Sequence, residues 1–277
     1  MTYQFRKLYA DVLSSDGTLC IVYLSWVNLL GRWYGRSGVE LYRADGTRTV
    51  HLGGDVPPVE RGDLDATRIV VSLPKGQLLL RYEPEHEGFS PPLPAVCPSL
   101  SWSVLVPRAR ARLSSADVGD REGLGYVDWV TLSRPTRLLR FRELTWGRAH
   151  LANTTVVFTA LDLADGRAWR AGAVWTKPSR APVTVSHIAT GLDSAGSGQV
   201  KVGGAALALR AERVLHAGDA FGPDRVSKPL DRLVVRAIGG RTSETRWLGT
   251  ARLGDDEGHA VYERVHFGAA VKEAPCT

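Results

Sequence analysis

Cysteine is scarce in this chain: Cys20, Cys97 and Cys276 are all that 277 residues contain. They share no metal-ligand spacing and form no even disulfide set, so neither a zinc centre nor a disulfide framework organises the fold. They fit a reducing compartment, two as small core fillers and one as a terminal thiol. No apolar run approaches about 18 residues, which predicts no membrane-spanning helix. The start, Met-Thr-Tyr-Gln-Phe-Arg-Lys, has no apolar signal core, and a cytoplasmic location is expected. There is no basic block either. The net charge is +6 and the pI about 9.4, but the arginines are spread along the chain. That charge reads as a solubility property, with a weak pull on acidic partners or lipid headgroups, and not as a nucleic-acid interface.

Familiar catalytic signatures are also missing. The sequence has no phosphate-cradling P-loop, no Gly-x-Ser-x-Gly elbow and no His-Glu-x-x-His zinc motif. Gly35-Arg-Ser-Gly38 and Gly123-x-Gly125 lack the strand-to-helix context of nucleotide binding and read as turns. Seven histidines do not cluster at ligand spacing. The expectation is a chain that works without metal or cofactor, on a hydrophobic small molecule or as a binder of one. Nothing in the sequence specifies an oligomeric state.

What the chain does have is alternation punctuated by turns. Helical periodicity is weak throughout. Strand-like runs flank Asp16-Gly17, Asp45-Gly46, Pro74-Lys75-Gly76 and Ala164-Asp165-Gly166, all tight-turn signals. Further strands are expected over 199–202, 205–211, 232–238, 245–253 and 259–267. The spacers are too short for crossover helices, so the sheets should be antiparallel barrels or sandwiches. Residues 53–62, 84–98 and 218–229 read as irregular, and 193–198 as a Gly/Ser loop. Lys177-Pro-Ser-Arg-Ala-Pro182 reads as a linker. That gives an all-β chain with two antiparallel domains, residues 1–178 and a smaller one over 183–277.

The candidate site lies in Gly123-Leu-Gly-Tyr-Val-Asp-Trp129 and Leu144-Thr-Trp-Gly-Arg-Ala-His150. On an extended strand Tyr126 and Asp128 share one face, while Val127 and Trp129 take the other. An apolar environment would favour protonated Asp128, ready to donate. The alternative is a structural ion pair with an arginine. In the second stretch Arg140, Arg142, Leu144, Trp146, Arg148 and His150 fall on one face. Solvent exposure is the simple reading. A polar-lined barrel interior or groove is the other, with Arg148 binding a carbonyl or carboxylate, Trp146 as a wall, and His150 as a structural histidine or contact. Trp26, Trp33, Tyr34 and Trp102 are core or pocket aromatics, with Trp33 and Tyr34 in a Gly-punctuated loop over 31–38. Glu40 is a second acid, and Tyr9-Ala-Asp11 a further contributor.

Tyr9-Ala-Asp11, Gly125-Tyr-Val-Asp128 and Trp146-Gly-Arg-Ala-His150 together give residues 8–176 a resemblance to the lipocalin-like carotenoid 1,2-hydratase (hydroxyneurosporene synthase) family, whose relatives include cofactor-free Diels–Alderase-type cyclases. The resemblance implies two lipocalin-like β domains. It also implies activity roles for Trp102, Tyr126 and Asp128. The family's His-x-Trp is Leu100-Ser-Trp102 here, and its His-Asn after the Asp is Trp129-Val130. The chain is also shorter. These departures remove polar groups that could hold a water. The expected activity is therefore ring closure of a polyene, polyketide or terpenoid-like intermediate, with hydration as one alternative and a non-enzymatic lipophilic carrier as another.

Overall fold

A computed structural model of the protein describes residues 3–73, 75–116, 118–219 and 242–268. The chain is all-β, built from two nearly closed antiparallel barrel-shaped sheets. It divides between Pro135 and Thr136.

The first unit contains β1 (Tyr3–Ser14), β2 (Leu19–Leu29), β3 (Arg32–Tyr42), β4 (Arg48–Asp55), β5 (Arg68–Leu73), β6 (Gly76–Pro84), β7 (Leu100–Ser114) and β8 (Arg121–Leu132). Their order in the sheet is β4-β3-β2-β1-β8-β7-β6-β5. Only the β1–β8 neighbours and the two edges depart from hairpin succession, so chain order almost dictates sheet order. The turns follow their Asp residues. At the β1–β2 turn, Asp16 Oδ1 accepts the Thr18 backbone N–H at 2.9 Å and Gly17 takes φ +81. An Asp side chain that mimics a backbone turn, followed by a residue tolerant of positive φ, suits this geometry. Asp45 and Asp165 repeat it at 2.8 and 3.1 Å.

The second unit contains β9 (Phe141–Leu151), β10 (Thr154–Leu163), β11 (Ala168–Thr176), β12 (Val183–Val185), β13 (Ile188–Leu192), β14 (Gly198–Val202), β15 (Ala205–Asp219), β16 (Thr242–Leu253) and β17 (Asp256–Phe267), preceded by a one-turn helix, Thr136–Leu139. Their order is β12-β11-β10-β9-β17-β16-β15-β14-β13.

Each barrel has its own apolar interior. In the first, Leu8, Ala10 and Val12 of β1 meet Leu78 and Leu80 of β6 and Val127 of β8. In the second, Leu151, Phe158, Ile188, Leu207, Trp247 and Tyr262 pack together. Interior positions alternate along most strands, as a pleated sheet requires, and bulges break the period on β7 and β15.

Two expectations change. Lys177–Pro182 connects β11 to its neighbour β12 within one sheet, whereas the division of the chain falls at Pro135. β9, β10 and β11 therefore belong with the second unit and not with residues 1–135. The stretch 31–38 is not a loop. Gly31 belongs to the turn, and Arg32 to Gly38 form the first half of β3, paired residue for residue with β2 from Leu29 to Tyr23. The 232–238 strand and residues 220–229 lie outside the described residues, as does Cys276.

Candidate functional site

β8 places Tyr126 and Asp128 on the face opposite the apolar interior, because Val127 and Trp129 occupy the interior positions. Both polar side chains are buried nonetheless. Asp128 Oδ2 accepts two hydrogen bonds, from Tyr126 OH at 3.0 Å and from Trp102 Nε1 at 3.1 Å. Trp102 arrives from β7, where Val104 is the register partner of Asp128. Phe89, bridged to Val104, sets its ring edge-on to Trp102 at 6.2 Å. Leu100 is buried two residues before Trp102.

The same arrangement recurs across this sheet face. On β1, Tyr9 OH donates to Asp11 Oδ2 at 2.9 Å. On β3, Tyr42 OH donates to Glu40 Oε2, and Arg48 Nη2 lies 3.5 Å from Glu40 Oε1. Asp11 faces Tyr126 on one side and Ile21 on the other, and Ile21 in turn faces Glu40. Three buried carboxylates thus share one face, each bonded to a tyrosine two residues away on its own strand. Tyr9 meets Tyr23 and Tyr126 with ring centroids 5.6 and 6.0 Å apart. Behind this row, burial and then the Asp11 charge push the Cys20 thiol up to about 12, so it stays neutral.

Not every sequence candidate joins this group. Trp26 and Trp129 pack on each other at 5.6 Å in the barrel interior, on the face away from Asp128. Trp26 also donates to Pro57 O at 2.8 Å. Trp33 is half-buried under the Arg6 guanidinium, 4.3 Å from its ring centre, and Tyr34 is exposed.

Trp146, Arg148 and His150 sit on β9 in the second unit, on the face opposite Ala149 and Leu151. They are buried, so the simple solvent-exposed reading does not hold for these three, and they do not line the barrel interior. Arg142, on the same face, is exposed. Arg140 precedes the strand with φ +54, outside the alternation. Arg148 Nη1 lies 3.4 Å from His150 Nδ1.

This unit holds a cluster that the sequence reading missed. Buried Arg246 on β16 bonds Glu263 Oε2 through Nε at 2.9 Å and Nη2 at 2.6 Å, and approaches Glu244 Oε1 at 2.5 Å. Glu263 is the register partner of both Arg246 and Trp146. The alternating Glu244-x-Arg246 on one strand was the available signal.

A groove of about 400 Å³ lined by Leu79, Arg81, Arg112, Leu113 and Arg121 lies at the far end of β8 from Asp128 and includes none of the candidates. Among the described residues no cluster of His, Cys, Asp and Glu could hold a metal ion. No helix among them is long and apolar enough to cross a membrane.

These features define a class by fold: paired lipocalin-like antiparallel β units, seen in several solved structures. CghA shares it at TM-score 0.58 and 12% identity, covering 96% of this chain and 88% of that one. NE1406 of Nitrosomonas europaea, described as an AttH candidate, has the same score and identity with 96% and 93% coverage. Kievitone hydratase of Nectria haematococca follows at TM-score 0.54 and 9% identity, with 97% and 90% covered. No protein-family profile and no curated protein matches the sequence.

Proposed function

We propose that this protein is a cofactor-independent enzyme that closes a ring in a hydrophobic polyene, polyketide or terpenoid-like intermediate, with Asp128 as its acid. The observation that carries this reading is the buried Asp128 carboxyl with both Trp102 and Tyr126 donating to Oδ2. Two donors mark Oδ2 as an acceptor, and the protonated Asp128 carboxyl carries the proton to be donated. That proton passes to an alkene carbon or carbonyl oxygen of the substrate. The resulting cation is attacked by a second double bond, and loss of a neighbouring proton back to Asp128 completes an isomerisation. Trp102 and Tyr126 act most strongly once Asp128 is ionised, which stabilises the charge that develops on it. Holding a flexible chain in the reacting conformer contributes as well, up to ~7–11 kcal/mol in favourable cases. Trp146, Arg148 and His150 lie in the second unit and are proposed separately as ligand contacts of that unit, to be tested by their own substitutions.

Hydration is the second reading, favoured by the fold shared with a protein named as a hydratase. It uses the same acid, with water capturing the cation. Leu100, where the resembling family carries His, weighs against it.

Deleting the gene and comparing small molecules separates the readings. A cyclase leaves an accumulated compound isomeric with the lost product. A hydratase leaves one that differs by a water. An unchanged set of compounds points to a carrier. Complementation with Asp128→Asn should fail to restore the product, and restoration would remove Asp128 as the acid.

A further inference from the structure

The β2–β3 hairpin ends in the two-residue turn Leu30-Gly31, with φ +54 and +84. Positive φ at both positions defines the tight turn that favours Asn-Gly. Leucine is ill suited to this conformation, where its Cβ crowds the backbone. Here it is also 67% exposed. A large apolar side chain thus occupies a place where a polar residue would fit the backbone better and the solvent better.

Leu30 is not alone. Leu29 is 36% exposed and Tyr34 52% exposed. Trp33, between them on β3, is half-buried under Arg6. The neighbouring loop is tied to this end of the barrel by Trp26 Nε1 to Pro57 O and Arg6 Nη1 to Val59 O, and adds exposed Pro57 and Pro58. Single exposed apolar residues are ordinary, but several together at one hairpin tip are not. The charge around it is weakly basic, Arg6, Arg32 and Arg36 against Asp55 and Glu60. Asp55 and Glu60 are each engaged by an arginine, Arg36 and Arg6. Arg32 is exposed directly after the turn.

We infer that this hairpin docks the protein on an anionic lipid surface. Leu29 and Leu30 enter the acyl boundary, Trp33 and Tyr34 sit at headgroup depth, and Arg32 meets the lipid phosphates. Arg32, the register partner of Leu29, stands beside the aliphatic tip, where its long side chain can reach back to the phosphates, and Trp33 and Tyr34 follow along β3. The inference stands on the hairpin alone and is independent of the reaction proposed above.

Flotation of the full-length protein with phosphatidylcholine vesicles, with and without phosphatidylglycerol, tests it. The protein should float with the anionic vesicles, less so at high salt. Leu30→Asn should raise Tm, because Asn tolerates the turn, and weaken vesicle binding about tenfold. Arg32→Gln should reduce only the gain due to phosphatidylglycerol. No flotation with either vesicle overturns the inference, as does binding unchanged in Leu30→Asn. A dimer that Leu30→Asn dissociates, without flotation, would instead assign the patch to a second copy of the chain.

Discussion

Tyr9 and Asp128 stand directly opposite each other on β1 and β8, and two residues along the ladder the order reverses, with Asp11 opposite Tyr126. Each tyrosine donates along its own strand, and the two rings meet edge-on across the ladder. The four side chains should therefore respond as a unit. Tyr126→Phe is expected to cost ~1–3 kcal/mol of stability by removing a donor from a buried carboxylate. Combined with Tyr9→Phe, the losses should depart from additivity by about 0.5 kcal/mol or more, as read from urea unfolding of both single variants and the double variant.

Gly125, in the Gly-Tyr-x-Asp motif, has a packing role. A Cβ there would lie 2.4 Å from Tyr82 Cε1 and 2.8 Å from Ala111 Cβ. Tyr82 cannot easily yield, since its hydroxyl bonds Asp11 O at 3.3 Å. Gly125→Ala should destabilise the protein by ~1–3 kcal/mol, measured by chemical denaturation.

Arg246 neutralises two buried carboxylates. Arg246→Met leaves Glu244 and Glu263 without it and should cost ~3–5 kcal/mol. Replacing Glu244 and Glu263 by Leu in the same variant should recover most of that loss. The urea midpoints of the two variants check both statements.

Asp16 predicts a pH dependence. The Thr18 backbone N–H, the Thr18 side chain and Arg121 hold its carboxyl below the ordinary 3.8 in the folded protein. A depressed folded value contributes stability in full above the unfolded value, and that contribution is lost as pH falls through the folded one. The Tm difference between wild type and Asp16→Ala should be constant from neutrality to about pH 5 and shrink below about pH 4.

The turns were legible in the sequence because Asp-Gly pairs act locally, and the faces of β8 were legible because alternation is local too. The division at Pro135 was not. Ser133-Arg134-Pro135 is as short as a hairpin connection, while the Pro-rich Lys177–Pro182 looks like a linker yet joins neighbouring strands. The Arg246–Glu263 pair spans a hairpin, so only register brings it together. Likewise, Tyr9-Ala-Asp11 carries no sign that it will meet Tyr126 and Asp128, more than 100 residues later.

The alternation of β8 carries one more consequence. Sliding β8 by a single residue against β1 would carry Asp128 into the aliphatic interior and turn Val127 and Trp129 outward. No such misaligned strand is affordable, because a carboxylate would be stranded among leucines and valines. The acid that equips the candidate site thereby also acts as a ruler, fixing how the two strands are threaded together.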